Sequence, residues 1–125
     1  MRVLLVDDEK ELVDALAERL SLRGIHADWV TTCKDALGRL DTETYDVALL
    51  DVKMPKLSGI ELKKKMERKA PGMKFIFLTG HGSEADFRAG SAEAGEDYYL
   101  VKPVAIDILV EKMREIVGEE GGRHE

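Results

Sequence analysis

Val3-Leu4-Leu5-Val6-Asp7-Asp8-Glu9 sets four apolar residues directly against three carboxylates. Four consecutive apolar residues without polar alternation suit a strand buried on both faces, as in a parallel sheet covered by helices. Val47-Ala48-Leu49-Leu50 and Phe75-Ile76-Phe77-Leu78 share that character, and Tyr98-Tyr99-Leu100-Val101 is a weaker version. Residues 25–30 alternate instead, with Ile25, Ala27 and Trp29 set against His26 and Asp28. That pattern suits an edge strand with one wetter face. The run at 98–101, entered through Glu96-Asp97, reads as the opposite edge.

The intervening stretches read as helices. Residues 9–22 carry Leu12, Val13, Leu16 and Leu20 on one face, and Ile106, Leu109, Val110, Met113 and Val117 follow the spacing of a packed amphipathic helix. Shorter helices are expected over 34–40, 59–68 and 83–94. Thr32 with Asp35, Ser58 with Glu61, and Ser83 with Asp86 each supply a Ser/Thr-x-x-Asp/Glu helix start. Lys63-Lys64-Lys65 reads as the solvated face of the third helix. The order is βα repeated five times. With right-handed crossovers this gives an α/β fold, a doubly wound parallel sheet of five strands in the flavodoxin-like order 2-1-3-4-5. One domain is expected over 1–118, with 119–125 a frayed tail.

Bulk composition narrows the function. At 125 residues, with 44% apolar and 35% charged side chains, the chain can bury a core and stay soluble. A net charge of −6 disfavours direct nucleic-acid binding, which draws on clustered Lys and Arg. No apolar run nears the ~20 residues of a membrane helix. Met1-Arg2 leads into a strand rather than a signal peptide. Cys33 is the only cysteine, so no internal disulfide and no Cys-based zinc site can form, and a cytoplasmic setting is expected. Cys33 and Trp29 read as packing residues.

Polar groups follow four of the strands: Asp7 and Asp8, then Asp51, then Thr79, then Lys102-Pro103. The topology brings those strand ends to one edge of the sheet, where such folds bind ligands. Three converging carboxylates repel unless a cation intervenes, and an all-oxygen set suits Mg²⁺. Mg²⁺ and Lys102 would neutralise charge on a phosphoryl group moving onto Asp51, and Thr79 would donate to it. Taken singly each residue has an ordinary reading. Asp7 or Asp8 can cap the first helix, Asp51 can be a loop residue, Thr79 can serve the turn at Gly80, and Lys102 can be solvated. Four strand ends carrying suitable groups together argue against coincidence.

VLLVDDE at 3–9, LLDVKMPKLSGIE at 49–61, LTGHG at 78–82 and DYYLVKPV at 97–104 closely resemble the receiver domains of two-component response regulators. The resemblance spans nearly the whole chain. It implies that Asp51 is phosphorylated by a histidine kinase or a histidine phosphotransfer protein. It further implies that Asp7, Asp8, Asp51 and the Lys53 backbone carbonyl hold Mg²⁺. Thr79 and Lys102 match the groups that sense the phosphoryl, and Tyr99 the aromatic switch. Lys102-Pro103 matches a bond that is usually cis. Such a domain catalyses only its own phosphorylation and dephosphorylation. It would switch a face made of the fourth helix, fifth strand and fifth helix, read by a downstream effector, an output domain or a second copy in a phosphorylation-dependent dimer.

The fourth helical stretch, 83–94, has Phe87 as its one large apolar anchor among small residues, which suits a moving part. Lys53 and His81 sit two residues past Asp51 and Thr79 and are candidates for tuning the phosphoryl lifetime. Three rivals stay open. A haloacid-dehalogenase-like phosphatase would place an Asp-x-Asp pair after the first strand, where this chain has Asp7-Asp8-Glu9. A flavodoxin-like binding module would meet repulsion between those carboxylates and the flavin phosphate. A receiver acting by protein contacts alone would lack a kinase.

Overall fold

Each apolar run becomes a strand whose alternate side chains enter two different cores. The computed structural model describes residues 1–54, 56–80, 88, 92 and 98–118. Its strands are β1 (Arg2–Val6), β2 (His26–Val30), β3 (Val47–Leu50), β4 (Lys74–Thr79) and β5 (Tyr99–Val101). Its helices are α1 (Lys10–Ser21), α2 (Cys33–Arg39), α3 (Gly59–Lys69) and the C-terminal α4 (Ile106–Val117). All strand pairs are parallel, in the order β2-β1-β3-β4-β5. The doubly wound sheet and both edges match the sequence reading.

On one face Leu4, Val6, Ala48, Leu50, Phe75 and Phe77 pack with Ala36 of α2 and with Leu62 and Met66 of α3. On the other, Val3, Leu5, Val47, Leu49, Ile76 and Leu78 pack with α1 and α4 through Val13, Leu20, Leu109, Val110 and Met113. Successive strand residues point to opposite faces, so a strand covered on both must be apolar throughout. Truncating a buried Leu or Met here to Ala would cost about 2–5 kcal/mol. Trp29 packs partly buried on the edge strand.

The helix starts divide. Thr32 Oγ1 accepts from the Asp35 N–H at 3.0 Å and Ser58 Oγ from the Glu61 N–H at 3.2 Å, so both expected caps form. The third, Ser83 with Asp86, lies outside the described residues, as does most of the helix expected there; Arg88 and Ala92 are helical and exposed. At α1 the cap position falls to Glu9, and neither Asp7 nor Asp8 occupies it. One reading needs correction. Lys64 and Lys65 are solvated, but Lys63 is 9% exposed, with its ammonium 5.7 Å from the Phe75 ring centre and 3.6 Å from Glu67. Its aliphatic stem covers apolar surface while its charge finds the ring, a fate that a run of three lysines does not distinguish.

At the opposite end of the sheet from the carboxylate cluster, Tyr45 donates to Asp28 Oδ2 at 2.7 Å beneath the Arg2 guanidinium. Burial, reinforced by the Asp28 carboxylate, pushes the Tyr45 phenol up to about 12. Burial works to raise the Asp28 carboxyl, but the Tyr45 hydrogen bond and the charges of His26, Arg39 and Arg2 outweigh it and leave it below the ordinary value. A carboxyl depressed on folding stabilises above its unfolded pKa, and that stabilisation is lost as pH falls through the folded value. Tyr45→Phe is therefore expected to cost about 1 kcal/mol at neutral pH and less in acid, where the carboxylate partner is protonated. Urea unfolding at the two pH values checks it, and an equal loss at both would contradict it.

Candidate functional site

The C-terminal ends of β1, β3, β4 and β5 deliver Asp7, Asp51, Thr79 and Lys102 to one edge of the sheet. Parallel pairing sets this convergence, because the register aligns Val6 with Leu50, Leu50 with Phe77, and Thr79 with Val101. Asp7 and Asp51 are buried and Asp8 is exposed, and carboxylate oxygens of the three lie within 4.8 Å of one another. Lys102 Nζ donates to Asp7 Oδ2 at 2.5 Å and to Glu9 Oε1 at 3.2 Å, and stands 3.7 Å from Asp51 Oδ2.

Burial is the main force on Asp7. It raises the carboxyl above its ordinary value and the nearby Asp51 charge adds to this, while Lys102 and the Glu9 N–H pull the other way. Burial works to lower the Lys102 ammonium, but its hydrogen bond to Asp7 and the charges of Asp7 and Asp51, with Glu9, leave it raised. The cluster holds more negative charge than one lysine answers. An all-oxygen donor set of this kind fits a hard divalent cation.

The loop after β3 is fixed by its backbone. The Asp51 N–H donates to Val6 O at 3.0 Å, and the Gly59 N–H to Val52 O at 2.8 Å. The Lys53 N–H donates to Asp51 Oδ1 at 3.2 Å, leaving the Lys53 side chain exposed. Thr79 is fully buried, and its carbonyl accepts from the Lys102 N–H at 2.8 Å. Tyr99 is buried edge-on to Phe77, with ring centres 6.2 Å apart. The Lys102–Pro103 bond is cis, as the resemblance implied. His81 lies outside the described residues. Cys33 is partly buried, its thiol directed at Leu57 O at 3.6 Å.

Two site residues escaped the sequence reading. Glu9 was read as part of a helix start, yet its side chain reaches Lys102. Gly59 stands so close to β3 that a Cβ there would collide with the Asp51 carbonyl. A glycine in the first turn of a helix is a weak helix former, and that was the available signal of a close approach.

The sequence matches the family described as "Response regulator receiver domain" over residues 3–114. The response regulator protein PmrA of Pseudomonas aeruginosa is 31% identical over 123 residues, which is 98% of this chain and 55% of that protein. A CheY-like receiver domain protein from Methanospirillum hungatei superposes with a TM-score of 0.85 at 34% identity, covering 98% of this chain and 97% of that one. TrrA of Thermotoga maritima, solved in complex with Mg²⁺ and BeF, gives a TM-score of 0.79 at 33% identity, covering 92% of this chain and 97% of that one. The chain spans about half the length of the curated relatives it matches. Among the described residues no helix is long and apolar enough to cross a membrane. On the family match, supported by the shared fold, this chain belongs to the response regulator receiver domains of two-component systems.

Proposed function

We propose that Asp51 is the phosphoryl acceptor of a Mg²⁺-dependent switch, and that residues 1–118 are its working unit. The observation that carries this is the buried Asp51 carboxylate within 4.8 Å of Asp7 and Asp8 and 3.7 Å from Lys102. Asp7, Asp8, Asp51 and the Lys53 carbonyl would hold the metal. The raised Asp7 carboxyl supports that fit, since a cation relieves both burial and the Asp51 charge. When bound, Mg²⁺ supplies neutralisation of charge on the transferring phosphoryl oxygens.

An Asp51 oxygen attacks phosphorus and forms a P–O bond. The donor's P–N bond breaks, or its P–O bond for an acyl phosphate, and the leaving group keeps the electron pair. Hydrolysis of the resulting anhydride returns the carboxylate and inorganic phosphate. Lys102 pairs with the phosphoryl oxygens, Thr79 donates its hydroxyl to one, and Tyr99 carries the change outward. The donor is a histidine kinase or a histidine phosphotransfer protein. The responding face comprises residues 83–94, β5 and α4, read by an effector, an output domain or a second copy. The Lys53 side chain shields the phosphoryl and lengthens its lifetime, and His81, two residues past Thr79 in sequence, is the second candidate for tuning it.

Acetyl phosphate with Mg²⁺ should add one phosphoryl group to the wild type by intact mass, and a chelator should abolish the gain. Undiminished labelling in chelator would reject the metal dependence, and an unlabelled wild type would leave a receiver that works by contact alone. In the same assay the label on Lys53→Asn should decay faster than on wild type. Equal or slower decay rules out shielding.

A further inference from the structure

Lys102 is tied most closely to the carboxylates that the proposed reaction does not phosphorylate. Its Nζ lies 2.5 Å from Asp7, 3.2 Å from Glu9 and 3.7 Å from Asp51. An ammonium has three donors, and two of those of Lys102 are spent on Asp7 and Glu9, so it can move fully onto a phosphoryl group at Asp51 only by loosening one of them. We propose that Glu9 is a positioning residue that holds Lys102 back from Asp51 in the unphosphorylated protein and lets it go when the phosphoryl group arrives. The inference rests on the reading of Asp51 as acceptor, and adds a residue that sets how readily the acceptor is used.

Burial decides which partner yields. The Asp7 side chain is 7% exposed, so losing Lys102 would strand a desolvated carboxylate. The Glu9 side chain is 65% exposed, and water takes over as it leaves. Its backbone, by contrast, is pinned. Glu9 N–H donates to Asp7 Oδ1 at 2.9 Å, and its carbonyl accepts from Leu12 at 3.1 Å and Val13 at 3.2 Å. Glu9 is the N-cap of α1, but its side chain makes no cap bond to the helix N–H groups and reaches Lys102 instead. A fixed backbone with a free side chain is suited to a releasable tether.

Two variants separate reach from charge. Glu9→Gln removes the charge, whereas Glu9→Asp keeps it but shortens the reach by about 1.5 Å. At saturating Mg²⁺ and limiting acetyl phosphate both should label about two- to five-fold faster than wild type, the scale of an exposed ion pair. In a Lys102→Ala background, which itself labels slowly, the Glu9 substitutions should add nothing, whereas a purely structural role would persist there. Wild-type rates in both single variants, or in Glu9→Asp alone, would overturn the tether while leaving Asp51 as acceptor. Failure of the wild type to label would remove both claims together.

Discussion

Asp51→Asn is expected to abolish phosphoryl acceptance while leaving the fold at least as stable as the wild type. The amide has nearly the shape of the carboxylate and can still accept from the Lys53 N–H. What it lacks is the anionic oxygen that attacks phosphorus. Removing a covalent nucleophile costs rate on the order of 10⁴-fold or more, so no label should rise above background. Asp7 cannot substitute, because its oxygens are committed to Lys102 and to the Glu9 N–H. Asp8 is exposed, whereas the Asp51 carboxylate is buried beside Lys102.

The stability half of that expectation follows from charge. The Asp51 charge helps raise the Asp7 carboxyl, which means the native state disfavours having both ionised. A group whose pKa is raised on folding favours the native state at low pH and opposes it above the folded value. Neutralising Asp51 relieves part of that opposition at neutral pH without metal. Bound metal acts in the same sense, and a ligand at about 100 times its Kd adds about 2.7 kcal/mol. The metal-induced rise in Tm should therefore be large in the wild type and smaller in Asp51→Asn. Labelling of the variant, or a lower metal-free Tm, would count against this account.

Gly59→Ala should destabilise the domain by about 1–3 kcal/mol and slow phosphoryl acceptance at least tenfold. Its sign is unusual, since alanine normally improves a helix by about 0.5–1 kcal/mol over glycine. No left-handed backbone angle is involved. The cause is steric, because a Cβ at Gly59 would run into the Asp51 carbonyl and its neighbour Val52, and both are backbone. The Gly59 N–H also donates to Val52 O, so the α3 start and the β3 end are held as one piece. Relieving the clash must move the acceptor. Gly38→Ala is the matched control, since its Cβ meets open space within α2 and should stabilise slightly. Wild-type stability and labelling in Gly59→Ala would show that the β3 end yields without cost.

Much of the fold was legible because the relevant signals are local. An unbroken apolar run reports burial on both faces wherever it sits, which is why β1, β3 and β4 were readable. Thr32 and Ser58 act on N–H groups three residues away, so their caps were readable too. Lys63 was not, because it lies on α3 while its neighbour Phe75 lies on a different element, β4. Asp7, Asp8, Asp51, Thr79 and Lys102 were found because strand topology makes their convergence a consequence of order along the chain.

The sequence by itself determined the five-strand alternation, the strand-end residues and the family. Those depend on periodicity and on residue type at fixed positions along the chain. Tertiary structure alone decided that Lys102 lies nearer Asp7 and Glu9 than Asp51, and that Gly59 presses on the Asp51 carbonyl. Such preferences are set at the scale of one ångström, by packing between elements far apart in sequence. Spacing along a chain carries no record of that scale.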